Sequence, residues 1–293
     1  MKALLRLLRE RSFRMDVAAA TDYARKHGLE AFVVTHAGDV VAEIYGDGFA
    51  PQKPHALYSG TKSFWGVAAI YAQSDGLLQF DERVAETIES WRDDPWKRRV
   101  TLRMLLSLTA GFGFGGLGSA VPTYDRALDF ALKNEPGTAF TYGGISLQVF
   151  GAVLGRKLAG SGRTPQAYLR ERVLDPAGVT VAAWRELADG TQPLPTGASL
   201  TAANWLAYGR FVLRRRAALA DCFHGSTVNP RYGLGWWLGA AGVPMDLTYA
   251  SGSGGQALYL VPSLDVAIVH FGRSASYKHD ALLKRLLGPS RSR

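Results

Sequence analysis

The pattern of apolar and polar positions predicts β-strands near both ends of this chain. Residues 30–35 and 40–45 are short apolar runs joined by His36-Ala-Gly-Asp39, a composition typical of a hairpin turn. Three similar runs follow near the C-terminus, at 247–250, 256–261 and 266–270. Because unpaired strand edges invite aggregation, we expect these distant runs to meet in one antiparallel sheet.

Helical spacing dominates the rest of the chain. Apolar residues recur at helical intervals from Phe13 to His27, where Gly28 provides a stop, and further helices are predicted at Ile145–Leu158 and His279–Leu287. The stretch from about Ser59 to Tyr208 is mostly helical in period. Gly- and Pro-rich loops interrupt it at 111–118, 135–144 and 189–197.

These elements predict a fold of the α/β class, of the α+β type. An antiparallel sheet built from the N- and C-terminal segments, with flanking helices, would carry an inserted and mostly helical lobe. We expect a single domain over residues 13–290. Within it, residues 13–75 and 225–290 would form the α/β lobe and residues 76–224 the helical lobe, with the crevice between the lobes as the natural place for a site.

Composition and charge narrow the function classes. The 293 residues are 47% hydrophobic and 20% charged, which is ordinary for a globular protein. The net charge of +9 is scattered, with short basic runs only at Lys97-Arg98-Arg99 and Arg214-Arg215-Arg216. Neither run accompanies a nucleic-acid-binding signature, so we expect solvated surface charge and no nucleic-acid partner.

Cysteine usage and the N-terminus indicate a cytoplasmic location. The single cysteine, Cys222, cannot form an internal disulfide. Residues 1–15 begin like a secretion signal, but Arg6, Arg9 and Arg11 interrupt the apolar run, which predicts an amphipathic segment instead. No stretch approaches the roughly 20 apolar residues of a membrane span. We therefore expect a cytoplasmic enzyme.

The first candidate for chemistry is the S-x-x-K pair formed by Ser59 and Lys62 at the start of a predicted helix. Residues three apart on a helix are neighbours, with Cβ atoms about 5–6 Å apart, so the amine can fold back onto the hydroxyl. The positive end of the helix dipole would favour negative charge on the serine. A helix start with a solvated lysine explains this short motif equally well when it is taken alone.

Three other segments supply a context for the pair. Tyr142 lies on a glycine-rich loop just before an apolar helix. The stretch Tyr249-Ala-Ser-Gly-Ser-Gly-Gly-Gln256 consists mostly of small residues on a predicted strand, so its backbone N–H groups could approach a substrate closely. The third segment, Arg103-Met-Leu-Leu-Ser-Leu-Thr-Ala-Gly-Phe112, reads as a helix that ends in a glycine-rich loop.

In this order the motifs resemble those of the serine β-lactamase and penicillin-binding-protein superfamily, in the class C-like branch. That branch contains β-lactamases, D-alanyl-D-alanine carboxypeptidases, β-lactamase-like esterases and 6-aminohexanoate-dimer hydrolases. Ser59-Gly-Thr-Lys62 matches the first family motif, Tyr142-Gly-Gly144 stands in place of Tyr-x-Asn, and Ala250-Ser-Gly252 stands in place of Lys-Thr-Gly or His-x-Gly. Flanking signatures are matched by Leu106-Ser-Leu-Thr-Ala-Gly111, Pro136-Gly-Thr138 and Tyr232-Gly-Leu-Gly-Trp236. The resemblance covers nearly the whole chain and implies a β-lactamase/DD-peptidase-like fold.

Two departures from the family motifs bear on the substrate. Gly144 replaces the asparagine that in relatives contacts a substrate amide and the active-site lysine, and Ala250 replaces a cationic or imidazole side chain. Both losses weaken recognition of a substrate that carries a carboxylate and an amide. They favour the esterase-like members of the branch.

The resemblance implies a serine hydrolase that acts through an acyl-enzyme. Ser59 would be the nucleophile, Lys62 and Tyr142 would move its proton, and the backbone N–H groups of Ser59 and Ser253 would hold the oxyanion. Free lysine and tyrosine both titrate near 10, so the sequence leaves open which of them holds the proton. We expect a carboxylesterase acting on small esters. An amide or peptide hydrolase, or a catalytically degenerate binding protein, remains the alternative.

Further expectations concern the substrate site and its ligands. Substrate contacts are expected from Ser251, Gly252, Trp236 and Phe112, although aromatic residues in such contexts, Tyr142 included, are often plain core. No metal-binding motif is present, so we expect no cofactor and a small-molecule ester or amide as the partner. The oligomeric state is open.

Two other classes of protein fit the sequence less well. The six histidines could supply a Ser-His-Asp triad, but no serine lies in a G-x-S-x-G elbow. Gly111-Phe-Gly-Phe-Gly-Gly116 fits a dinucleotide-binding G-x-G-x-x-G pattern. It follows a predicted helix instead of a strand, which removes the βαβ context that such a motif requires.

Overall fold

A six-stranded antiparallel sheet joins the two ends of the chain, as predicted. The computed structural model describes residues 15–240 and 242–288. The strands are β1 (Leu29–His36), β2 (Asp39–Tyr45), β6 (Trp237–Leu238), β7 (Thr248–Gly252), β8 (Gln256–Val261) and β9 (Val266–Gly272), in the order β2-β1-β9-β8-β7-β6. Pairing of β1 with β9 closes the gap between the N-terminal hairpin and the C-terminal strands.

A second, three-stranded sheet was not predicted. It consists of β3 (His55–Ala56), β4 (Ala183–Trp184) and β5 (Ala198–Leu200), in the order β3-β5-β4. Strands of two or three residues show no alternation of apolar and polar positions, so sequence periodicity cannot reveal them. This small sheet positions the site because β3 leads directly into the turn that carries Ser59.

The first helix, α1 (Val17–Lys26), begins where the Asp16 side chain accepts a hydrogen bond from the backbone N–H of Ala19 at 2.9 Å. It ends before Gly28, which has a φ of +71°. The predicted beginning of this helix at Phe13, and the predicted amphipathic segment at 1–15 apart from Met15, lie outside the described residues.

Eight further α-helices follow within the described ranges. They are α2 (Ser63–Ser74), α3 (Val84–Thr87), α4 (Leu102–Leu106), α5 (Tyr124–Leu128), α6 (Ile145–Leu158), α7 (Pro165–Leu169), α8 (Ala202–Arg214) and α9 (His279–Leu287). The bounds of α6 and α9 agree with those predicted. None of the helices in residues 15–240 and 242–288 is long and apolar enough to cross a membrane.

Two apolar cores cover the two faces of the large sheet. Alternate residues of β1 divide between them, since Val33 belongs to the core shared with α2, α6 and α8, whereas Phe32 belongs to the core shared with α1 and α9. Helix α8, which falls within the predicted helical lobe, packs against β8 and β9 of the large sheet. The sheet, α8 and α2 therefore meet in one continuous core behind the Ser59 turn.

Candidate active site

Ser59 lies on a single 3₁₀ turn, Tyr58–Lys62, and α2 begins immediately afterwards at Ser63. Tyr58 has a φ of +47°, a left-handed conformation that is strained for a residue with a side chain. The turn also requires Gly60, because a Cβ there would approach the Trp205 ring to 2.8 Å. The chain thus makes a sharp bend that leaves the half-buried Ser59 just before the N-terminus of α2.

Lys62 lies against Ser59, as the S-x-x-K spacing predicted. Its Nζ is 2.9 Å from the Oγ of Ser59 and 3.2 Å from the backbone carbonyl oxygen of Pro195. Lys62 is only 1% exposed, and no ion pair neutralises it within the described part of the chain. Burial of the ammonium form lowers the pKa of Lys62 to about 7, so the neutral amine is well populated at neutral pH.

Two side chains fix Leu194, the residue before the Pro195 carbonyl that Lys62 contacts. The indole N–H of Trp65 donates to the carbonyl oxygen of Leu194 at 2.7 Å, and the backbone N–H of Leu194 donates to Oε1 of Gln148 at 2.9 Å. Both bonds are buried, and they hold residues 194–195 between α2 and α6. The carbonyl of Pro195 is thereby directed at the lysine. Because this contact is made by the backbone, no residue type in the sequence indicates it.

Tyr142 completes the group around Ser59. The Nζ of Lys62 lies 4.8 Å from the centre of its ring, which also stacks on Trp237 at a centroid distance of 5.6 Å and meets the edge of Tyr232 at 6.1 Å. Burial raises the pKa of Tyr142, and a hydrogen bond with Ser59 opposes that rise without cancelling it. The phenol therefore keeps its proton through the neutral pH range.

The loop that carries Tyr142 is held by the glycine-rich segment after α4. The backbone N–H of Thr141 donates to the carbonyl oxygen of Leu108 at 3.1 Å, and that of Gly144 donates to Gly115 at 2.9 Å. A Cβ on Gly144 would lie 1.9 Å from the carbonyl oxygen of Gly116, far inside contact distance. An asparagine cannot occupy this position in the present backbone, and the Pro195 carbonyl provides the lysine contact instead.

We expect Gly144→Ala to destabilise the fold by about 1–3 kcal/mol and to lower catalytic activity, because the new Cβ must displace the Gly115–Gly116 backbone beside Tyr142. Gly155→Ala, within the helix α6 that follows Gly144, is the matched control. Its new Cβ would have no neighbour nearer than 3.9 Å, so helix propensity should make this variant more stable by up to about 1 kcal/mol. Urea unfolding measures both effects; equal stability of the two variants would contradict the close approach.

The third motif contributes backbone and small side chains but no charge. Ala250 is 2% exposed and belongs to the apolar core. A Cβ on Gly252 would lie 2.1 Å from the carbonyl oxygen of Leu57, so the end of β7 packs directly against the chain entering the Ser59 turn. Ser253 follows as an exposed residue, and Ser251 bonds through its Oγ to the Nε2 of His279 at 3.1 Å.

Two side chains that were expected to contact substrate lie in the core. Trp236 is completely buried and stacks on Tyr208 with a distance of 6.1 Å between ring centroids. Phe112 is 4% exposed, and its ring centroid lies 6.3 Å from that of Trp91. Both residues belong to the core. Successive residues of an extended segment point to opposite sides, so the indole that faces the site is that of the neighbouring Trp237.

A cavity of about 460 Å³ opens beside the site. Tyr58 and Ser253 form its boundary with the Ser59 turn, and its far wall includes Glu30, His55 and Arg273. The Glu30 carboxylate bonds to Nδ1 of His55 at 2.9 Å and pairs with Arg273, so this wall carries an internally balanced charge. No group of three or more His, Cys, Asp or Glu side chains in the described ranges is arranged to hold a metal ion.

Comparison with known proteins gives one family match and several relatives. A family model described as Beta-lactamase matches residues 24–286. The chain is 28% identical over 154 residues to the lovastatin esterase of Penicillium rubens, a match that covers 42% of this chain and 38% of that protein. It is 31% identical over 117 residues to the 6-aminohexanoate-dimer hydrolase of Paenarthrobacter ureafaciens, covering 39% and 30%. The matched segments span less than half the length of either relative.

Solved structures share the whole fold at low sequence identity. The hydrolase EstCE1, described as having promiscuous acyltransferase activity, superposes with a TM-score of 0.72 at 17% identity, covering 98% of this chain and 97% of that one. At this identity, the superposition shows a common fold. The fold predicted from the sequence motifs is therefore confirmed.

Proposed function

The chain belongs to the Beta-lactamase family, and we propose that it is a serine hydrolase that works through an acyl-enzyme on Ser59 and acts as a carboxylesterase on small esters. The observation that carries this proposal is the contact between Lys62 and Ser59. A buried amine with a pKa of about 7 lies 2.9 Å from a serine hydroxyl. This is the arrangement that a serine needs in order to be activated at neutral pH.

In the acylation step, Oγ of Ser59 attacks the ester carbonyl carbon while its proton passes to Nζ of Lys62. The Pro195 carbonyl accepts one N–H of the neutral amine, which leaves its lone pair free to take the Ser59 proton. The ammonium that forms then faces the Tyr142 ring at 4.8 Å, where a cation–π interaction stabilises it. The tetrahedral oxyanion accepts hydrogen bonds from the backbone N–H groups of Ser59 and Ser253.

The intermediate then collapses by breaking the bond to the leaving oxygen, which takes the proton from Lys62. The Tyr142 phenol, which is protonated and hydrogen-bonded to Ser59, relays that proton from Lys62 to the leaving oxygen. On the acyl-enzyme, water gives a proton to Lys62 and attacks the acyl carbon. The second intermediate then collapses by breaking the bond to Oγ of Ser59, which takes the proton back from Lys62 as the acid is released. The cavity beside Tyr58 and Ser253 offers room for a substituent of the substrate.

Two features of the site favour esters over amides. Gly144 has no space for an amide-bearing side chain, and Ala250 supplies no charge for a substrate carboxylate. An alcohol is also a better leaving group than an amine, so an ester needs less help from such contacts. The similarity to the lovastatin esterase supports the same choice.

An amide hydrolase is the second candidate, favoured by the similarity to the 6-aminohexanoate-dimer hydrolase. The Ser59–Lys62 chemistry would be the same for either substrate. The difference lies in the contacts that hold the substrate and protonate the leaving nitrogen.

Parallel assays on four substrates test the proposed function. We expect hydrolysis of p-nitrophenyl acetate and p-nitrophenyl butyrate, and no cleavage of a chromogenic cephalosporin or of the linear 6-aminohexanoate dimer. Cleavage of the dimer or the cephalosporin without ester turnover would replace the esterase by an amide hydrolase. Absence of turnover on all four would favour a binding protein.

A further inference from the structure

A chain of hydrogen-bonded side chains, two of them buried and two half-buried, begins at Ser251, and the proposed mechanism does not use it. The Oγ of Ser251 is 3.1 Å from Nε2 of His279, whose Nδ1 is 2.6 Å from the hydroxyl of Tyr259. That hydroxyl is in turn 2.8 Å from the hydroxyl of Tyr277. The four residues come from β7, the first position of α9, β8 and the loop before α9, so the chain of hydrogen bonds ties the C-terminal helix to the third motif.

The positions of the protons follow from hydrogen-bond satisfaction. Burial lowers the pKa of His279 to about 4, so its ring is neutral at pH 7 and carries one N–H. Tyr259 is the only hydrogen-bond partner of the Tyr277 hydroxyl among the described residues, so Tyr277 donates to Tyr259. Tyr259 then donates to Nδ1 of His279, which leaves the N–H on Nε2 to donate to Ser251. The hydroxyl proton of Ser251 remains available to another acceptor.

Ser251 lies where a substrate could use that proton. Strand β6 pairs with β7 only at Thr248 and Tyr249, so the edge of β7 at Ser251 is not covered by β6. Ser251 precedes Ser253 by two residues, a distance of about 7 Å along an extended chain. A substrate whose carbonyl oxygen binds at Ser253 would bring atoms two or three bonds from that carbonyl to Ser251.

We propose that His279 is a positioning residue that holds Ser251 as a hydrogen-bond donor to an uncharged oxygen in the acyl part of the ester. The inference rests on the proposed function because it assigns the acyl specificity of the same site. A hydroxyl supported by neutral groups suits an ether or carbonyl oxygen better than a carboxylate, since neither Ala250 nor this polar chain supplies a positive charge. Ser251 is thus expected to provide the acyl contact that Ala250 cannot.

Two esters that differ by one atom test the inference. p-Nitrophenyl methoxyacetate carries an ether oxygen where p-nitrophenyl butyrate carries a methylene. In Ser251→Ala and in His279→Leu, we expect the ratio of kcat/KM for methoxyacetate to that for butyrate to fall about tenfold from the wild-type ratio, the effect of one lost hydrogen bond. The double variant should fall no further than either single variant, and His279→Gln, which can still donate an N–H, should recover part of the loss.

The controls separate positioning from a general structural role. His224→Leu, at an exposed histidine remote from the chain of hydrogen bonds, should leave the ratio unchanged. An unchanged ratio in Ser251→Ala would overturn the inference, and so would a His279→Leu variant that loses activity equally on both esters. If His279→Leu does not fold, His279→Gln takes its place, and a ratio in that variant equal to the wild-type ratio would overturn the role of His279. A wild type that turns over neither ester would overturn the proposed function as well, which distinguishes the two failures.

Discussion

Replacing Ser59 with alanine is expected to lower kcat/KM for p-nitrophenyl butyrate by roughly 10⁴-fold or more, to the background of the assay. The substitution removes the only atom that can form the acyl bond in the proposed mechanism. Ser59 is half-buried and alanine is smaller, so the fold should keep its stability to within about 0.5 kcal/mol. Initial rates and a thermal melt of the same preparation measure both quantities.

Ser253→Ala is the matched control for this prediction. Ser253 is proposed to act through its backbone N–H, which survives the substitution, and its side chain is exposed. We expect a loss of no more than about threefold, against the 10²–10³-fold that typically follows removal of an oxyanion donor. Losses of similar size from Ser59→Ala and Ser253→Ala would contradict the roles assigned to the two serines.

Lys62→Met should lower kcat/KM by about 10²–10⁴-fold, the usual contribution of a general base. Methionine preserves most of the length of the side chain but offers no lone pair to the Ser59 hydroxyl, 2.9 Å away. It also removes a buried ionisable group, so the melting temperature should not fall. A large drop in melting temperature together with the loss of activity would point to a structural role instead.

The pH dependence of kcat/KM tests whether Lys62 is the general base. Because burial lowers the pKa of Lys62 to about 7, the neutral amine is lost as the pH falls below 7, and kcat/KM should then decline tenfold per pH unit. Above pH 7 the rate should level off, since Tyr142 keeps its proton. Tyr142→Phe should slow turnover strongly but retain the acidic limb, whereas the residual activity of Lys62→Met should lack it. A limb that persists in Lys62→Met would assign the base elsewhere.

Much of the fold could be predicted because the local spacing of apolar residues indicates most of its strands and helices. The apolar runs at both ends predicted five strands of the large sheet, and helical apolar spacing predicted the bounds of α6, which follows Gly144, and of α9, which ends before Gly288. The short strands β3 to β5 lack any such signal. The Ser59 segment was predicted as the start of an α-helix, yet its first turn is 3₁₀, with Tyr58 in a left-handed conformation and Gly60 packed closely against Trp205 and Leu57.

Contacts between distant segments could not be predicted from the sequence. The Pro195 carbonyl reaches Lys62 across 133 residues, and buried hydrogen bonds of Trp65 and Gln148 with the preceding Leu194 hold that segment in place. Only the orientation of the short extended segment at residues 236–237 shows that the Trp237 indole faces Tyr142 and that the Trp236 indole lies in the core. The sequence indicated a small-residue third motif around Ser251, but the support from His279 arises only when α9 packs beneath β7.

Intact mass spectrometry of wild-type protein, quenched in acid during turnover of p-nitrophenyl butyrate, tests the acyl-enzyme on Ser59 most directly. We predict a species heavier by one butyryl group, located by peptide mapping on the fragment that contains Ser59 and absent from Ser59→Ala. A butyryl group on another residue would contradict the central claim. So would full turnover by Ser59→Ala.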